Sequence, residues 1–480
     1  MTVSLYTAAQ ARELDRLTIE QGKVPGYLLM CRAGRFSFSQ IQNYWPACRS
    51  LLVLCGKGNN GGDGYVIAKL AHQAGMQVRL FSSCDPQTLT GDALLAYQDC
   101  GVEVEVGVDQ LPLDAADVLV DALLGTGAQG AVRGVCQTWI EQINAVGKAV
   151  LSVDLPSGLG ADTGQVLGCA VKATVTACFI GRKRGLYTGQ ARAYVGAIVF
   201  SDLSVRSGIY EQVPSAVSLL DQSSHTKLPK RLATSYKTSH GHVFVVGGDV
   251  GTFGAVLLSA QACARAGAGL VSVYTPPEHG LWVTMAQPEL MLVRDNWPLA
   301  SVLVVGPGLG QAKFGQQAWA YALAQHKPMV VDADGLNLLA QQYLQPPKRD
   351  NWILTPHPGE AARLLGCSVE EVEQDRFAAV QALQQRYGGA VMLKGAGTLI
   401  ADRHGHVSVL GVGNAGMASG GMGDVLAGVC GALLAQGLSV DEAAAYGAWL
   451  HSSAADTAAE GGQRGMLASD LLPLIRRFLG

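Results

Sequence analysis

Short apolar runs rich in Val, Leu and Ile alternate along the chain with longer stretches whose apolar positions recur every three to four residues. In the first half the runs fall at 51–55, 78–81, 118–120, 149–153, 173–177 and 197–200. Helical spacing occupies 65–74 and 134–145. A further amphipathic helix is expected over 7–21, behind Thr7, whose hydroxyl can cap free amides. Runs without polar alternation suit strands covered on both faces, so the pattern predicts parallel sheets wrapped by helices. The alternation dissolves into Ser, Pro and Lys between about 205 and 231. It resumes with runs at 243–246, 270–274, 302–305, 329–331, 352–354, 391–393 and 398–400. The chain therefore reads as α/β, in two doubly wound three-layer domains at 1–215 and 231–480 joined by a linker at 216–230. No short period recurs, which excludes a solenoid.

Composition adds exclusions. Of 480 residues only 15% are charged, below the ~25% of ordinary soluble domains, as large buried sheets require. A net charge of −3 gives no electrostatic reason for a nucleic-acid or membrane partner. The eleven cysteines form no C-x-x-C pair, and Cys178 and Cys430 stand inside apolar runs, as buried reduced thiols do. With no leader-like opening and no apolar stretch of membrane-spanning length, a cytoplasmic protein is expected.

Sixty glycines cluster after the apolar runs. Gly56, Gly58 and Gly61 satisfy G-x-G-x-x-G between a strand and a helix, where backbone amides can receive phosphate. The second strand carries no acid at its tip for a ribose, since Asp85 lies beyond it, so a redox-cofactor fingerprint is incomplete. The loop instead continues Asn59, Asn60, Gly61, Gly62, Asp63. These oxygens suit a hard cation or sugar hydroxyls, and equally a self-capping Asn-Gly turn. Two later strands end in Asp121, before Gly125-Thr126-Gly127, and in Asp154, before Pro156-Ser157-Gly158. Loops at the carboxyl ends of parallel strands share one crevice, so the three are expected to face one ligand; Asp154 would alternatively cap a helix.

In order and spacing, GKGNNGGDG, DALLGTG and VDLPSG resemble the NAD(P)H-hydrate epimerase family, as does the opening TAAQARELDR helix. The resemblance implies a Rossmann-like domain that inverts C6 of a hydrated nicotinamide ring without redox chemistry. It implies that Asn59 to Asp63 hold substrate and that Gly125, Thr126, Gly127, Ala128, Gln129, Gly130 and Ala131 wrap the dinucleotide. Asp154 would be the acid–base residue, and a potassium ion would sit on Asn60, Asp121 and Ser157. Where the family often reads K-P-G-L this chain has Lys183-Arg184-Gly185-Leu186, read as a solvated basic turn in preference to a phosphate contact.

In the second half there is no P-loop signature. His357 stands between two prolines before a helix, either presented to a ligand or simply in water. Gly420, Gly421 and Gly423 open a helix with Asp424 on its first turn. Free amides there form an anion hole, and a carboxylate beside them can take the proton of an attacking hydroxyl. The motifs GTFGA, GPGLG, TPHPGE, MLKGAGT and GGMGD resemble the NAD(P)H-hydrate dehydratase branch of the ribokinase-like fold, over residues 230–480. The resemblance implies substrate contacts at Ala255, Gly310, His357 and Asp424. It implies nucleotide contacts at Lys394, Gly395, Ala396, Gly397, Thr398 and Gly423. Asp424 would deprotonate the C6 hydroxyl, which attacks the terminal phosphoryl of ADP; the phosphate ester then eliminates to NADH or NADPH. Magnesium is expected with the nucleotide, with Glu360 a candidate ligand, and a homo-oligomer is expected. The competing enzyme is a small-molecule kinase of the same fold with an accessory nucleotide-binding N-terminal domain.

Overall fold

The computed structural model describes residues 3–221, 228–294, 297–342 and 347–479. They form two compact units, Ser4–Ser215 and Ala216–Gly480, the second also taking in Val3.

The N-terminal unit is built on seven parallel strands, Ser50–Cys55, Gln77–Ser82, Val104–Val106, Val118–Ala122, Ala149–Val153, Val175–Phe179 and Ala197–Ser201. Numbered along the chain, they stand 3-2-1-4-5-6-7, which puts the reversal of strand order between Ser50–Cys55 and Val118–Ala122. Such a reversal opens a crevice at the carboxyl ends of the two strands. Leu51, Val53 and Cys55 enter one apolar core and Leu52 and Leu54 another, so both faces of the sheet are covered. This dry environment explains the unbroken apolar runs, each fully buried Val or Leu contributing about 1.5–3 kcal/mol.

Thr7 does cap its helix, Ala8–Glu20: its hydroxyl accepts from Gln10 N at 3.1 Å, and Gln10 Oε1 accepts from Thr7 N at 2.9 Å. The helix expected over 65–74 begins earlier, at Asn59. Its glycines are demanded by contact: a Cβ on Gly61 would lie 2.0 Å from Gly56 O, and one on Gly64 2.6 Å from Cys55 Sγ. The Asn-Asn-Gly-Gly-Asp residues thus form the opening turns of a helix, and the strand Val104–Val106 went unread because its exposed edge carries Glu105.

The C-terminal unit holds an eleven-stranded sheet whose strand order reverses between His242–Val246 and Val302–Val305. Its middle strands through Ala390–Leu393 are parallel, and Leu399–Ala401 runs antiparallel to both Ala390–Leu393 and Val407–Leu410. The expected linker needs correction. Val217–Leu220 is a strand paired in parallel with Val407–Leu410, because VSLL is apolar enough to be buried despite its Ser- and Pro-rich flanks. Residues 222–227 of that linker lie outside the described residues. The helix Met422–Ala435 packs on Phe253–Arg265, and it delivers Asp424 to the carboxyl ends of the sheet. Among the described residues no helix is long and apolar enough to cross a membrane.

Candidate active sites

A cavity of about 620 Å³ lies in the N-terminal unit, lined from the strand-end loops by Asn59, Asn60, Asp63, Gly125, Thr126, Gly127, Ala128, Asp154 and Lys183. Asp154 follows its strand directly and takes a left-handed backbone (φ 66°), a strained conformation costing roughly 1–3 kcal/mol in a non-glycine residue. No helix starts there, so Asp154 is not a helix cap. Its carboxylate forms an ion pair with Lys183 instead.

Lys183 corrects the expectation of a solvated turn. It is 3% exposed, and its ammonium also donates to Phe179 O at 3.2 Å. The chain's opening segment turns it inward, through bonds from Tyr6 N to Arg182 O (2.7 Å) and from Arg184 N to Tyr6 O (2.9 Å). Burial pulls the ammonium down, but Asp154, Cys178 and Asp15 together outweigh it and hold Lys183 above its ordinary range.

Burial raises two more carboxyls of the cavity lining. Burial raises Asp63 well above the usual carboxylate range, with Asp154 and Asp15 adding to it. Burial also lifts Asp15 to about 7, Lys183 opposing and Asp154 reinforcing. Asp15 and Lys183 were missed as site residues; an Asp among the apolar positions of the opening helix was the available signal.

Of the remaining expected contacts, Gly61 and Gly62 are buried against Gly56 and Met30 and do not line the cavity. Gln129, Gly130 and Ala131 lie beyond the lining, on the exposed continuation of the loop. Asn60, Asp121 and Ser157 do come together around Leu124: Asn60 Nδ2 and Leu124 O are 3.1 Å apart, and Leu124 N donates to Ser157 Oγ at 2.8 Å. Asp121 is fully buried and accepts from Ser157 Oγ (2.5 Å), Ser157 N (2.9 Å) and Ser152 Oγ (2.8 Å). Burial raises its carboxyl against these bonds. Asn60 Oδ1 is buried without a partner. An orphaned amide oxygen beside a buried carboxylate and a hydroxyl is an all-oxygen donor set that fits a hard cation.

In the C-terminal unit, Gly421 caps Met422–Ala435 in a left-handed conformation (φ 91°), leaving the first amides without intrahelical acceptors. Asp424 stands on that turn, lifted to about 7 by burial and by Asp332, with Lys394 opposing. A Cβ on Gly423 would lie 3.2 Å from Lys394 Nζ and 3.4 Å from Asp332 Oδ2, so the glycine lets these charges approach the helix end. Lys394 Nζ donates to Asp332 Oδ1 at 2.7 Å and lies 3.9 Å from Glu360 Oε2. Burial lowers Lys394, but the two carboxylates overcome it and raise it. Asp332, held by Thr355 Oγ1 at 2.7 Å, was missed although it ends a strand as Asp121 and Asp154 nearly do.

His357 caps Pro358–Leu365, its Nδ1 accepting from Gly359 N at 3.0 Å, while burial and then Lys394 lower its pKa. The side chain is half-exposed, and its Nε2 lies 3.4 Å from Glu360 Oε1. Ala255 and Gly310 belong to the segments after the two switch-point strands. Gly310 N donates to Asp334 Oδ2 at 2.9 Å, and a Cβ there would lie 2.4 Å from Asp249 Oδ2. The loop from Lys394 to Thr398 is anchored by buried Arg376, which donates to Leu393 O (3.3 Å) and Lys394 O (3.1 Å). Gly395 (φ 141°) leaves room for it.

Each unit thus places acid–base groups, glycine loops and free amides at the carboxyl ends of a parallel sheet, which defines a two-centre α/β enzyme. Residues 243–477 match the family model described as NAD(P)H-hydrate dehydratase, and residues 26–185 the one described as YjeF-related protein N-terminus. The bifunctional NAD(P)H-hydrate repair enzymes of Coxiella burnetii and Escherichia coli are 46% and 44% identical to the chain. Each alignment covers 99% of this chain, with 99% of the first relative and 94% of the second. A ribokinase-like superfamily protein of Enterococcus faecalis aligns at TM-score 0.49 and 30% identity, over 53% of this chain and 91% of its own. The chain belongs to the family of bifunctional NAD(P)H-hydrate repair enzymes.

Proposed function

We propose that the N-terminal unit interconverts the R and S forms of hydrated NADH and NADPH at C6, and that the C-terminal unit dehydrates the S form using ADP. The observation that carries this reading is Asp424, a carboxyl lifted to about 7 beside the open amides of a glycine-capped helix. A base poised near neutrality takes the proton of the C6 hydroxyl, the hydroxyl oxygen attacks the terminal phosphoryl of ADP, and the bridging P–O bond breaks to release AMP. The amides of Met422 and Gly423 and the ammonium of Lys394 stabilise the charge in transfer. Phosphate then leaves with the C6–O bond, driven by the ring nitrogen, and a C5 proton is lost to restore the dihydronicotinamide.

In the other unit Asp154 is the acid–base residue, held in place by Lys183. Asn60, Asp121 and Ser157 would hold potassium, whose charge would steady the loop from Leu123 to Ala128 over the dinucleotide. Asp332 and Glu360 stand near Asp424 and face Lys394, and a magnesium ion arriving on the nucleotide phosphates would need only one or two such carboxylates. The reading includes a cytoplasmic location, where the cofactor pool and reduced thiols such as Cys178 and Cys430 both fit. It also includes a homo-oligomer, for which exposed Leu281, Trp282 and Met285 offer apolar surface.

The test supplies purified S-hydrate and ADP and follows NADH absorbance, then repeats the assay with R-hydrate. NADH returns from both, the second through epimerisation. No recovery from S-hydrate, or accumulation of a stable phosphoester, would sink the proposal.

A further inference from the structure

The N-terminal cavity holds more acid than one acid–base residue requires. Four carboxyls (Asp15, Asp63, Asp92 and Asp154) line it with one buried ammonium, Lys183, which is paired to Asp154. Inverting a hydroxyl-bearing carbon by exchange needs two proton-handling groups. One must protonate the departing hydroxyl, and the other must take a proton from the water that arrives on the opposite face.

Asp15 is built into the wall for this. The capping box at Thr7 sets the register of Ala8–Glu20, whose Ala8, Ala11, Leu14, Leu17 and Thr18 are buried. Ala11, Asp15 and Ile19 lie four residues apart on one helical face, and with Arg12 they line the cavity. Asp15 makes no ion pair among the described residues, yet it is close enough to Lys183 and Asp154 for their charges to act on it. No packing role accounts for a carboxyl at this position.

Resting on the epimerase reading above, we propose that Asp15 is a second catalytic residue, the acid for the departing C6 hydroxyl, while Asp154 serves as base toward the incoming water. In the first step the Asp15 proton passes to the hydroxyl oxygen, the C6–O bond breaks and water leaves. The lone pair of the ring nitrogen forms the N1=C6 bond of an iminium ion. In the second, water adds to the other face of C6, its proton passes to Asp154, and the π electrons return to nitrogen. Proton exchange with solvent resets Asp15 and Asp154. No redox partner is consumed, and the oxygen of the product comes from solvent.

Burial holds the Asp15 carboxyl at about 7, the range in which an acid both carries and releases its proton at neutrality. The ionisable groups around it are Arg12 on its own helix, Lys57, Asp63, Asp92 and Cys136 in the cavity lining, Tyr210 on Ser207–Glu211, and the Asp154–Lys183 pair.

The test measures exchange between purified epimers without ADP, which keeps the other site silent, across neutral pH. The wild-type rate in excess of the spontaneous one should fall as pH rises through about 7. Asp15→Asn should lose about 100-fold or more in rate and lose that alkaline limb. NADPH binding, read by its fluorescence, should stay unchanged. Asp15→Glu should recover activity with a displaced limb, and this variant decides the matter if the Asn variant does not fold. In ¹⁸O-water each inversion should place one labelled oxygen on C6. A near-wild-type rate with the same alkaline limb in Asp15→Asn, or retention of the original oxygen, overturns the proposal. Failure of the wild-type protein to speed exchange overturns the epimerase reading itself.

Discussion

Asp424→Asn should make the C-terminal unit more stable while destroying its activity. In the unfolded chain this carboxyl titrates near 3.8, whereas burial and then Asp332 lift it to about 7 in the fold. Its folded-state pKa is raised, so the protonated form favours folding. That contribution is fully present below about 3.8, declines with rising pH, and is gone above about 7. At about 1.4 kcal/mol per pH interval, ionised Asp424 costs the native state about 4 kcal/mol above pH 7 and less than half of that at pH 5. Asparagine keeps the shape and carries no charge, so the variant should escape this cost.

Calorimetry of the full chain provides the assay, the transition of the C-terminal unit being identified by its upward shift on adding ADP. For a unit of this size, each kcal/mol raises the midpoint by about 2–4 °C, so a gain of about 8–16 °C is expected at pH 8 and a much smaller one at pH 5. Dehydration of the S-hydrate should fall by about 100-fold or more, and in the wild-type protein it should rise with pH through about 7, since the base must be ionised. Equal midpoints at pH 8, or equal gains at both pH values, would refute the electrostatic account of Asp424.

Lys183→Met leaves Asp154 in the cavity wall without its counter-charge and should destabilise the N-terminal unit by about 3–5 kcal/mol. Epimer exchange should vanish while S-hydrate is still dehydrated. Gly61→Ala places a methyl 2.0 Å from Gly56 O and should lower the same unit's denaturation midpoint by an amount equivalent to about 1–3 kcal/mol. Arg376→Met strips the donor from Leu393 O and Lys394 O; the KM for ADP should rise several-fold with exchange unaffected, as paired kinetic assays would show. Replacing potassium with a bulky organic cation should slow exchange and spare dehydration, and Asn60→Leu should abolish the potassium dependence along with the rate.

Much of this architecture was legible in the chain alone. Strands at Ala149–Val153, Leu270–Tyr274, Val302–Val305, Met329–Val331 and Trp352–Leu354 fall where the apolar runs predicted them, because strands covered on both faces are filled mainly by apolar residues, with an occasional hydrogen-bonded serine such as Ser152. The glycine motif of the first loop also announced its place, since a Cβ on Gly61 would meet Gly56 O at 2.0 Å. Strands with an exposed face or polar flanks, Val104–Val106 and Val217–Leu220, escaped notice.

What the sequence determined by itself was the local matter of which segments are strand, loop or helix, and which loops carry oxygen and charge. Only the tertiary structure decided that Asp15, Asp154 and Lys183 meet in one cavity, and that Asp332 and Glu360 share Lys394. A charged residue reads the same along the chain whether it points into water or into a cavity. Lys183 turns inward because Tyr6, far away in sequence, pins the segment around it. The long-range pairing that buries a charge also supplies its partner, and periodicity records neither.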